Sequence, residues 1–220
     1  MHWELFDPNE EVRITAGRLP HWFQPGRLYF ITFRTDDSLP ASVARLWRQR
    51  RDDWLRRQGI DPRSADWASR LASLPAWLRR QFHKTFSEEF LEDLDRGYGE
   101  CLLKRPSLAS IVVEGLLHFD QDRYQLSNFV VMPNHVHVLA GLLGSTDLVA
   151  QCYSWKKNMA LRINRALDRR GRFWHEESFD HLVRSGEQFE SLQRYIAENP
   201  SKAKVREGEY VIWQRAEGTG

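Results

Sequence analysis

Alternating apolar and polar residues predict four short β-strands along the chain. The first covers residues 26–34, GRLYFITFR, and the second covers 123–132, RYQLSNFVVM. A tight break at Pro133 and Asn134 separates the second strand from the third, HVHVLAGLL. SFDHLVR, at 178–184, forms a short fourth strand. The chain therefore contains the strands of one small sheet.

Apolar residues at helical spacing predict helices in the intervening segments. The first helix follows Pro40 and ends at Gly59, and a second covers residues 107–119, SLASIVVEGLLHF. A longer helix begins at Thr146 and Asp147, either of which can cap it, and runs to about residue 170, where a glycine closes it. The last helix contains GEQFESLQRYIAEN and is expected to stop at the proline that follows, at position 200.

The order strand, helix, strand, strand, helix, strand, helix predicts an α+β fold. The expected architecture is a ferredoxin-like antiparallel sheet with helices on one face, plus a helical insertion after the first helix. A single domain spanning residues 1–220 suits this length. Residues 60–98 are assigned to the insertion, with short helices broken at Pro75 and around Thr85, and residues 206–220 to a C-terminal tail.

The third strand carries two histidines one residue apart, His135 and His137. Because side chains alternate along a strand, Val136, Val138 and Ala140 share the face toward the helices, and both imidazoles lie on the opposite, free face. From there, two ring nitrogens can converge on one metal ion. A His-x-His pattern alone is more often a pair of strand histidines that only form hydrogen bonds, so the pattern by itself favours that simpler interpretation.

Two residues of the last helix bear on whether the two histidines bind a metal ion. Tyr195 and Asn199 are four positions apart and therefore lie on one face of the helix. A divalent ion held by two imidazoles needs oxygen ligands, and a tyrosine hydroxyl beside a metal-polarised phosphate can act as a nucleophile. Packing of Tyr195 and an ordinary helix end at Asn199 would explain the same residues without any function, so both interpretations remain open.

Charge and composition narrow the choice of partners. The formal net charge is only +2, but residues 151–174 hold seven cations and a single acid, Asp168, which favours an anionic partner. The two cysteines, Cys101 and Cys152, are typical of a reducing compartment and form no zinc-ligand cluster. No apolar run is long enough for a membrane span, and the N-terminus lacks a signal-peptide core. A cytoplasmic protein with no membrane partner is expected.

Four sequence blocks occur in order along the chain: VVMPNHVHVL, SWKKNMALRINRAL, GRFWHEESFDHLVR and YIAENPSKA. Together they resemble the REP-associated tyrosine transposases, a chromosomal branch of the single-tyrosine HUH transposases within the insertion-sequence-like superfamily. GRLPHWFQPGRLYFITFR and SLP near the N-terminus resemble the same branch. The resemblance covers roughly residues 17–205 and is weak at 60–98.

This resemblance implies a role for each residue considered above. His135 and His137 would be the HUH pair, Tyr195 the nucleophile, and Asn199 the third ligand to Mg²⁺ or Mn²⁺. The implied substrate is single-stranded DNA near a REP-type hairpin. The implied chemistry is that of a single-stranded DNA endonuclease and strand transferase with a covalent 5′-phosphotyrosine intermediate.

Supporting roles follow from the same hypothesis. Asp180 and His181 of the fourth strand could assist, but adjacent strand residues point to opposite faces, so at most one can face the site. DNA contacts are expected from the basic helix and the segment after it: Lys156, Lys157, Arg162, Arg165, Arg172 and Arg184. Trp155 and Trp174 could stack on splayed bases, and Trp155 could equally belong to the core.

Two other functions remain compatible with the sequence. The same fold could serve as a domesticated DNA-hairpin binding protein without cleavage activity. A ferredoxin-like metal-binding or ligand-binding domain is the second alternative, and it would show no salt-dependent affinity for DNA. The resemblance to the REP-associated branch implies association with the nucleoid and favours a monomer, with a homodimer as the alternative.

Overall fold

The computed structural model describes residues 3–15 and 20–216. Its strands are β1 (Arg13–Thr15), β2 (His21–Phe23), β3 (Leu28–Arg34), β4 (Tyr124–Val131), β5 (His135–Leu142), β6 (Phe179–Leu182) and β7 (Val211–Gln214). Its helices are α1 (Ala41–Arg57), α2 (Trp67–Ala72), α3 (Ala76–Asp95), α4 (Pro106–Leu117), α5 (Leu148–Ala166) and α6 (Gly186–Lys202). Among the described residues, no helix has both the length and the apolar composition needed to span a bilayer. Residues 17–19, which belong to the N-terminal block of the resemblance, and residues 217–220 of the tail lie outside the described residues.

Five strands form one antiparallel sheet in the order β6-β3-β5-β4-β7. Four of them are the predicted strands, and the predicted α+β fold with an antiparallel sheet is confirmed. The fifth strand, β7, comes from the tail and was not predicted. It pairs with β4, where Trp213 stacks on Phe129 at a centroid distance of 5.2 Å. The tail therefore covers an edge of the sheet, while β1 and β2 form a separate ribbon.

Helices cover both faces of this sheet. α4 and α5 pack on the face that carries Val136 and Val138, as predicted. α6 covers the opposite face, together with Leu91 of α3, so the histidine face is not free as expected. That face is also apolar, because it carries Leu28, Phe30, Val130 and Leu139 of the strands and Met132 directly after β4. Burying them requires a second helical layer.

The insertion packs against α1 around an aromatic core of its own. α3 begins after Pro75, as predicted, but it runs without interruption through Thr85, where a break was expected. Phe82 and Phe86 lie one turn apart on one face of α3, and both pack on Trp54. This tertiary packing outweighs the low helix propensity of a β-branched residue.

The last two helices end at positions other than those predicted. α5 ends at Ala166 because Asp168 adopts a φ of 47°, which interrupts the helix before residue 170. α6 continues past Pro200, which was expected to stop it. A proline in the last turn removes only one backbone hydrogen bond, and Pro200 is itself buried. The additional residues keep Asn199 in helical geometry, one turn after Tyr195.

Candidate active site

His135 and His137 project from β5 onto the face covered by α6, and both are fully buried. Their Nε2 atoms lie 3.1 Å apart. The ring of Phe30, on β3, stacks on His137 at a centroid distance of 5.2 Å. The two ring nitrogens thus converge, as the alternation of the strand allows.

Neighbouring polar groups fix the orientation of both imidazole rings. The Asn134 amide nitrogen donates to the carbonyl oxygen of Tyr98 at 3.0 Å, which leaves Oδ1 to accept from His135 Nδ1 at 2.8 Å. The hydroxyl oxygen of Thr32 lies 2.7 Å from His137 Nδ1. When Nδ1 of each ring donates a proton in this way, the two Nε2 atoms carry the lone pairs and are available to a cation.

α6 places Tyr195 and Asn199 on its side that faces the two histidines, in agreement with their four-residue spacing. The hydroxyl oxygen of Tyr195 lies 3.5 Å from Nε2 of His137, within one chain. Asn199 is fully buried, and its Oδ1 has no hydrogen-bond partner among the described residues. Leaving a buried carbonyl oxygen unpaired is unfavourable, so this atom is suited to binding a cation.

Asp95, at the end of α3, joins the cluster and was not identified from the sequence. Its Oδ1 lies 3.5 Å from Nε2 of His135, and its two carboxylate oxygens accept from Asn199 Nδ2 at 3.0 and 3.1 Å. One potential ligand atom from each of Asp95, His135 and His137 lies within 4.8 Å of the others. In the sequence, Asp95 is one of several acids on a helix that looked solvent-facing, so no local signal distinguishes it.

This donor set fits a divalent cation. Carboxylate and amide oxygens are ligands of Mg²⁺ and Mn²⁺, and imidazole nitrogens are common ligands of transition metals. Adjacent ligands on an octahedral ion, at about 2.1 Å from it, lie about 3 Å apart. The spacing of 3.1 Å between the two Nε2 atoms agrees with that value. The buried Oδ1 of Asn199, which has no hydrogen-bond partner among the described residues, is a further oxygen atom that could bind such an ion.

Burial sets the charge of these groups. It lowers the pKa of His135 to about 3 and that of His137 well below its usual value, so both rings are neutral at pH 7. Burial also raises the pKa of Asp95 to about 6. Burial, and then the carboxylates of Asp95 and Glu92, raise the pKa of Tyr195, so its hydroxyl is protonated at neutral pH. A bound cation would favour the ionised forms of both Asp95 and Tyr195.

The buried neutral histidines predict that the fold is sensitive to acid. The pKa of His83, on α3, is lowered from 6.5 to about 4, first by burial and then by the charges of Arg184 and Arg79. Below pH 6.5 the unfolded chain therefore binds a proton that the folded chain does not, and the free energy of unfolding falls as the pH drops toward 4. Each such histidine contributes at most about 1.4 kcal/mol per pH unit in this window.

We expect His83→Gln to make this decrease shallower, because glutamine does not titrate. Urea unfolding of both proteins at a series of pH values between 4 and 7 measures the difference. The raised pKa of Asp95 acts in the opposite direction, but it is common to both proteins and cancels in the comparison. Identical slopes for the two proteins would contradict the prediction.

The pairing of β6 with β3 separates the two candidate assisting residues. His181 is opposite Phe30 and shares its face, whereas Asp180 is opposite Ile31 and points to the other face, where it contacts His21. His181 accepts a hydrogen bond from the Gln188 amide at 2.6 Å and lines a groove next to the metal-capable cluster. Only one of the two thus lies on the face of the site, as expected, and neither belongs to the cluster.

The basic residues of α5 lie on the far side of the sheet from this cluster, because α5 packs on the opposite face. Lys157 and Arg165 are exposed there. The Nζ of Lys156 donates to two backbone carbonyls of the following loop, and Arg162 forms an ion pair with Glu114. A DNA molecule that contacted both α5 and Tyr195 would therefore have to pass around an edge of the sheet.

The other predicted DNA contacts are two cations, Arg172 and Arg184, and two tryptophans, Trp155 and Trp174. Trp155 lies within α5, and the other three lie between α5 and α6 in the chain. Arg172 is exposed in the loop before β6, and Arg184 lies 5.0 Å from the centre of a tryptophan ring of β2. Trp155 and Trp174 are only 2% and 4% exposed and belong to the core. The Nε1 of Trp155 donates to the hydroxyl of Tyr124 at 2.9 Å. The suggested stacking of these two rings on DNA bases is therefore corrected, because neither ring face is accessible.

Fold and site together define an α+β protein with a buried, metal-capable His-Asp cluster beside a tyrosine of the same chain. Over most of its length the chain resembles a solved structure of a REP-associated tyrosine transposase bound to a REP hairpin. The two are 15% identical, with a TM-score of 0.42, and the match covers 83% of this chain and 71% of the other. No protein-family model and no curated protein matches the chain.

Proposed function

We propose that this protein cleaves and rejoins single-stranded DNA beside hairpins, forming a covalent bond between Tyr195 and a 5′-phosphate. The observation that carries the proposal is the position of the Tyr195 hydroxyl, 3.5 Å from a ring nitrogen of a metal-capable cluster in the same chain. The order of sequence blocks that resemble the tyrosine transposases supports the same chemistry and the hairpin substrate.

His135, His137 and Asn199 are the proposed ligands of Mg²⁺ or Mn²⁺, with Asp95 as a fourth. When bound, such an ion would neutralise phosphate charge and polarise phosphorus for attack. Thr32 and Asn134 hold the imidazole rings in the orientation that directs Nε2 toward the cluster. Mutation of such supporting residues usually weakens a metal site without removing it.

Tyr195 acts in this proposal as the nucleophile. Its hydroxyl oxygen bonds to the phosphorus of the cleaved phosphodiester, and the bond from phosphorus to the 3′-oxygen breaks. The phenol loses one proton and the departing 3′-oxygen gains one, so the step is balanced. The bond energy is retained in the phosphotyrosine, and a 3′-hydroxyl can later attack it to rejoin DNA without ATP.

The raised pKa of Tyr195 limits reaction of its hydroxyl in the free protein. Without a cation or substrate nearby, the hydroxyl remains protonated and is a weak nucleophile.

All proposed ligands and the tyrosine come from one chain, so we propose that a monomer suffices for one cleavage. Strand transfer would then require either sequential use of Tyr195 or a second copy of the protein.

Hairpin binding is proposed for the exposed cations of α5 and the following loop, chiefly Lys157, Arg165 and Arg172. These residues offer phosphate contacts, and binding through them should weaken steeply as salt concentration rises. The solved transposase of similar structure is described as bound to a REP hairpin, and we extend the same class of partner to this chain.

The polarity of the covalent bond provides the experiment. A DNA hairpin with a single-stranded extension is labelled either at its 3′ end or at its 5′ end and incubated with protein and Mn²⁺. Because the tyrosine joins the 5′-phosphate, only the 3′ label should remain on the protein in a denaturing gel, and chelation of the metal should prevent it. Tight binding without any adduct would instead support the hairpin-binding protein, and no binding at all would support a domain unrelated to nucleic acid.

A further inference from the structure

We propose that α3 of the insertion and the segment joining β6 to α6 form a groove that binds the phosphate backbone of single-stranded DNA next to the cleaved position. This inference rests on the proposed function, since the single strand is its substrate, and it gives the insertion a purpose. The groove adjoins the pocket of Tyr195 and has a volume of ≈ 560 Å³.

Cations from two elements line this groove. Arg79, Arg80 and Lys84 come from α3, and Arg184 follows β6. Among the described residues that line the groove, Glu88 is the only acid. In the part of the chain that the structure describes, none of the four cations forms an ion pair with a carboxylate, unlike Arg162 of α5. The groove is therefore positively charged and open to an external anion.

The positive groups of the groove lie close to one another, so each makes the charged form of its neighbours less favourable. Loss of hydration, and then the charge of Arg79, lower the pKa of Arg184. Burial, and then Arg184 and His83, lower the pKa of His181 to about 4. Bringing like charges together without a counter-charge destabilises the free protein, and a polyanion bound between them would remove that penalty.

The groove leads directly to the candidate nucleophile. It shares four lining residues with the pocket that opens on Tyr195: Phe30, Glu88, Leu91 and Leu192. Both depressions lie on the histidine face of the sheet, under α3 and beside α6. A strand whose phosphates followed the cations of the groove would reach the Tyr195 hydroxyl without crossing the sheet, which a strand held only by α5 could not do.

An exposed aromatic ring on α3 supports a single strand rather than a duplex. Trp77 is 61% exposed, whereas tryptophan side chains are on average largely buried. Arg80 and Lys84 follow it at spacings of three and seven residues, so the three side chains lie along one side of α3. Unpaired bases stack on such rings while neighbouring cations hold the backbone, and bases within a duplex cannot.

The test compares two double variants of the 220-residue chain. Arg79→Gln with Arg184→Gln removes two cations from the groove. Arg45→Gln with Arg48→Gln removes the same charge from exposed residues of α1 that do not line it. The probes are a fluorescently labelled DNA hairpin with a single-stranded extension at its foot and the same hairpin with a blunt end. Fluorescence anisotropy at several salt concentrations gives the affinity of each protein for each probe.

The groove variant should bind the extended hairpin on the order of tenfold more weakly than the wild type and the α1 variant do, and its salt slope should be smaller by about 1.4. Affinity for the blunt hairpin should be unchanged. Lysine at both positions should restore binding of the extended hairpin, which a mere loss of packing would not allow. Equal affinity of wild type and groove variant for the extended probe, equal losses for both probes, or no binding by the wild type would overturn the proposal.

This result is separable from the proposed chemistry. If the wild type never forms a covalent adduct but the groove variant still loses affinity for the extended probe, the groove is correct and the cleavage function is wrong. If the wild type forms the adduct and the groove variant matches it in binding, the cleavage function stands and the groove proposal fails.

Discussion

Tyr195→Phe is expected to lower covalent attachment to DNA by at least about a thousandfold while leaving DNA affinity unchanged. The substitution removes only the hydroxyl that lies 3.5 Å from Nε2 of His137. The ring can keep its contacts with Phe30 and His137, at centroid distances of 5.8 and 5.2 Å, so the fold should be preserved. Denaturing gels with the 3′-labelled probe measure the adduct, and fluorescence anisotropy measures the binding.

Tyr210→Phe is the matched control for this variant. Tyr210 packs against the same apolar cluster as Tyr195 but contributes nothing to the metal-capable set. It should form the adduct at the wild-type rate. An adduct that persists in Tyr195→Phe, or that disappears in Tyr210→Phe, would show that the nucleophile has been assigned to the wrong residue.

His137→Ala is expected to weaken Mn²⁺ binding by more than about 100-fold, because it removes a ligand rather than a residue that supports one. Asp95→Asn keeps an oxygen atom at the position of the proposed fourth ligand but removes its negative charge, so it should weaken Mn²⁺ binding by at least about tenfold. Titration calorimetry, or the electron paramagnetic resonance signal of bound Mn²⁺, measures this without any need for activity. His137 packs on Phe30, so the thermal stability of the alanine variant must be checked in parallel.

Glu92→Gln is the control for Asp95→Asn. Glu92 lies on the same helix and lines the same pocket, but it is not part of the cluster. It should retain wild-type affinity for Mn²⁺. Equal affinity of the wild type, Asp95→Asn and His137→Ala would show that the cluster is only a set of buried, hydrogen-bonded groups, which is the simpler interpretation of a His-x-His strand.

Local patterns in the sequence predict most of the sheet and, of the proposed nucleophile and ligands, all except Asp95. Alternation along β5 correctly places His135 and His137 on one face, and the spacing of four places Tyr195 and Asn199 on one face of α6. Both patterns depend only on the geometry of a single element, which is why a sequence can reveal them. The roles assigned to these residues remain predictions.

Contacts between distant elements could not be predicted in the same way. Asp95 meets Asn199 across 104 positions, and only the packing of the insertion against the sheet brings them together. The second helical layer could not be predicted for the same reason. The histidine face is apolar because β3, β4 and β5 each contribute side chains to it, and the pairing that aligns these strands joins distant parts of the chain. For Trp155 the sequence left two interpretations open, stacking on DNA bases or packing in the core, and its burial in the structure agrees with the core.

Peptide mapping of the covalent product tests the central claim most directly. Trypsin cleavage after Arg194 and Lys202 releases YIAENPSK, in which Tyr195 is the only tyrosine. After incubation with the extended hairpin and Mn²⁺, nuclease and trypsin digestion, mass spectrometry should find this peptide carrying a nucleotide through a phosphate on Tyr195. A nucleotide attached to a peptide with any other tyrosine, or no modified peptide under conditions in which the DNA is bound, would contradict the account.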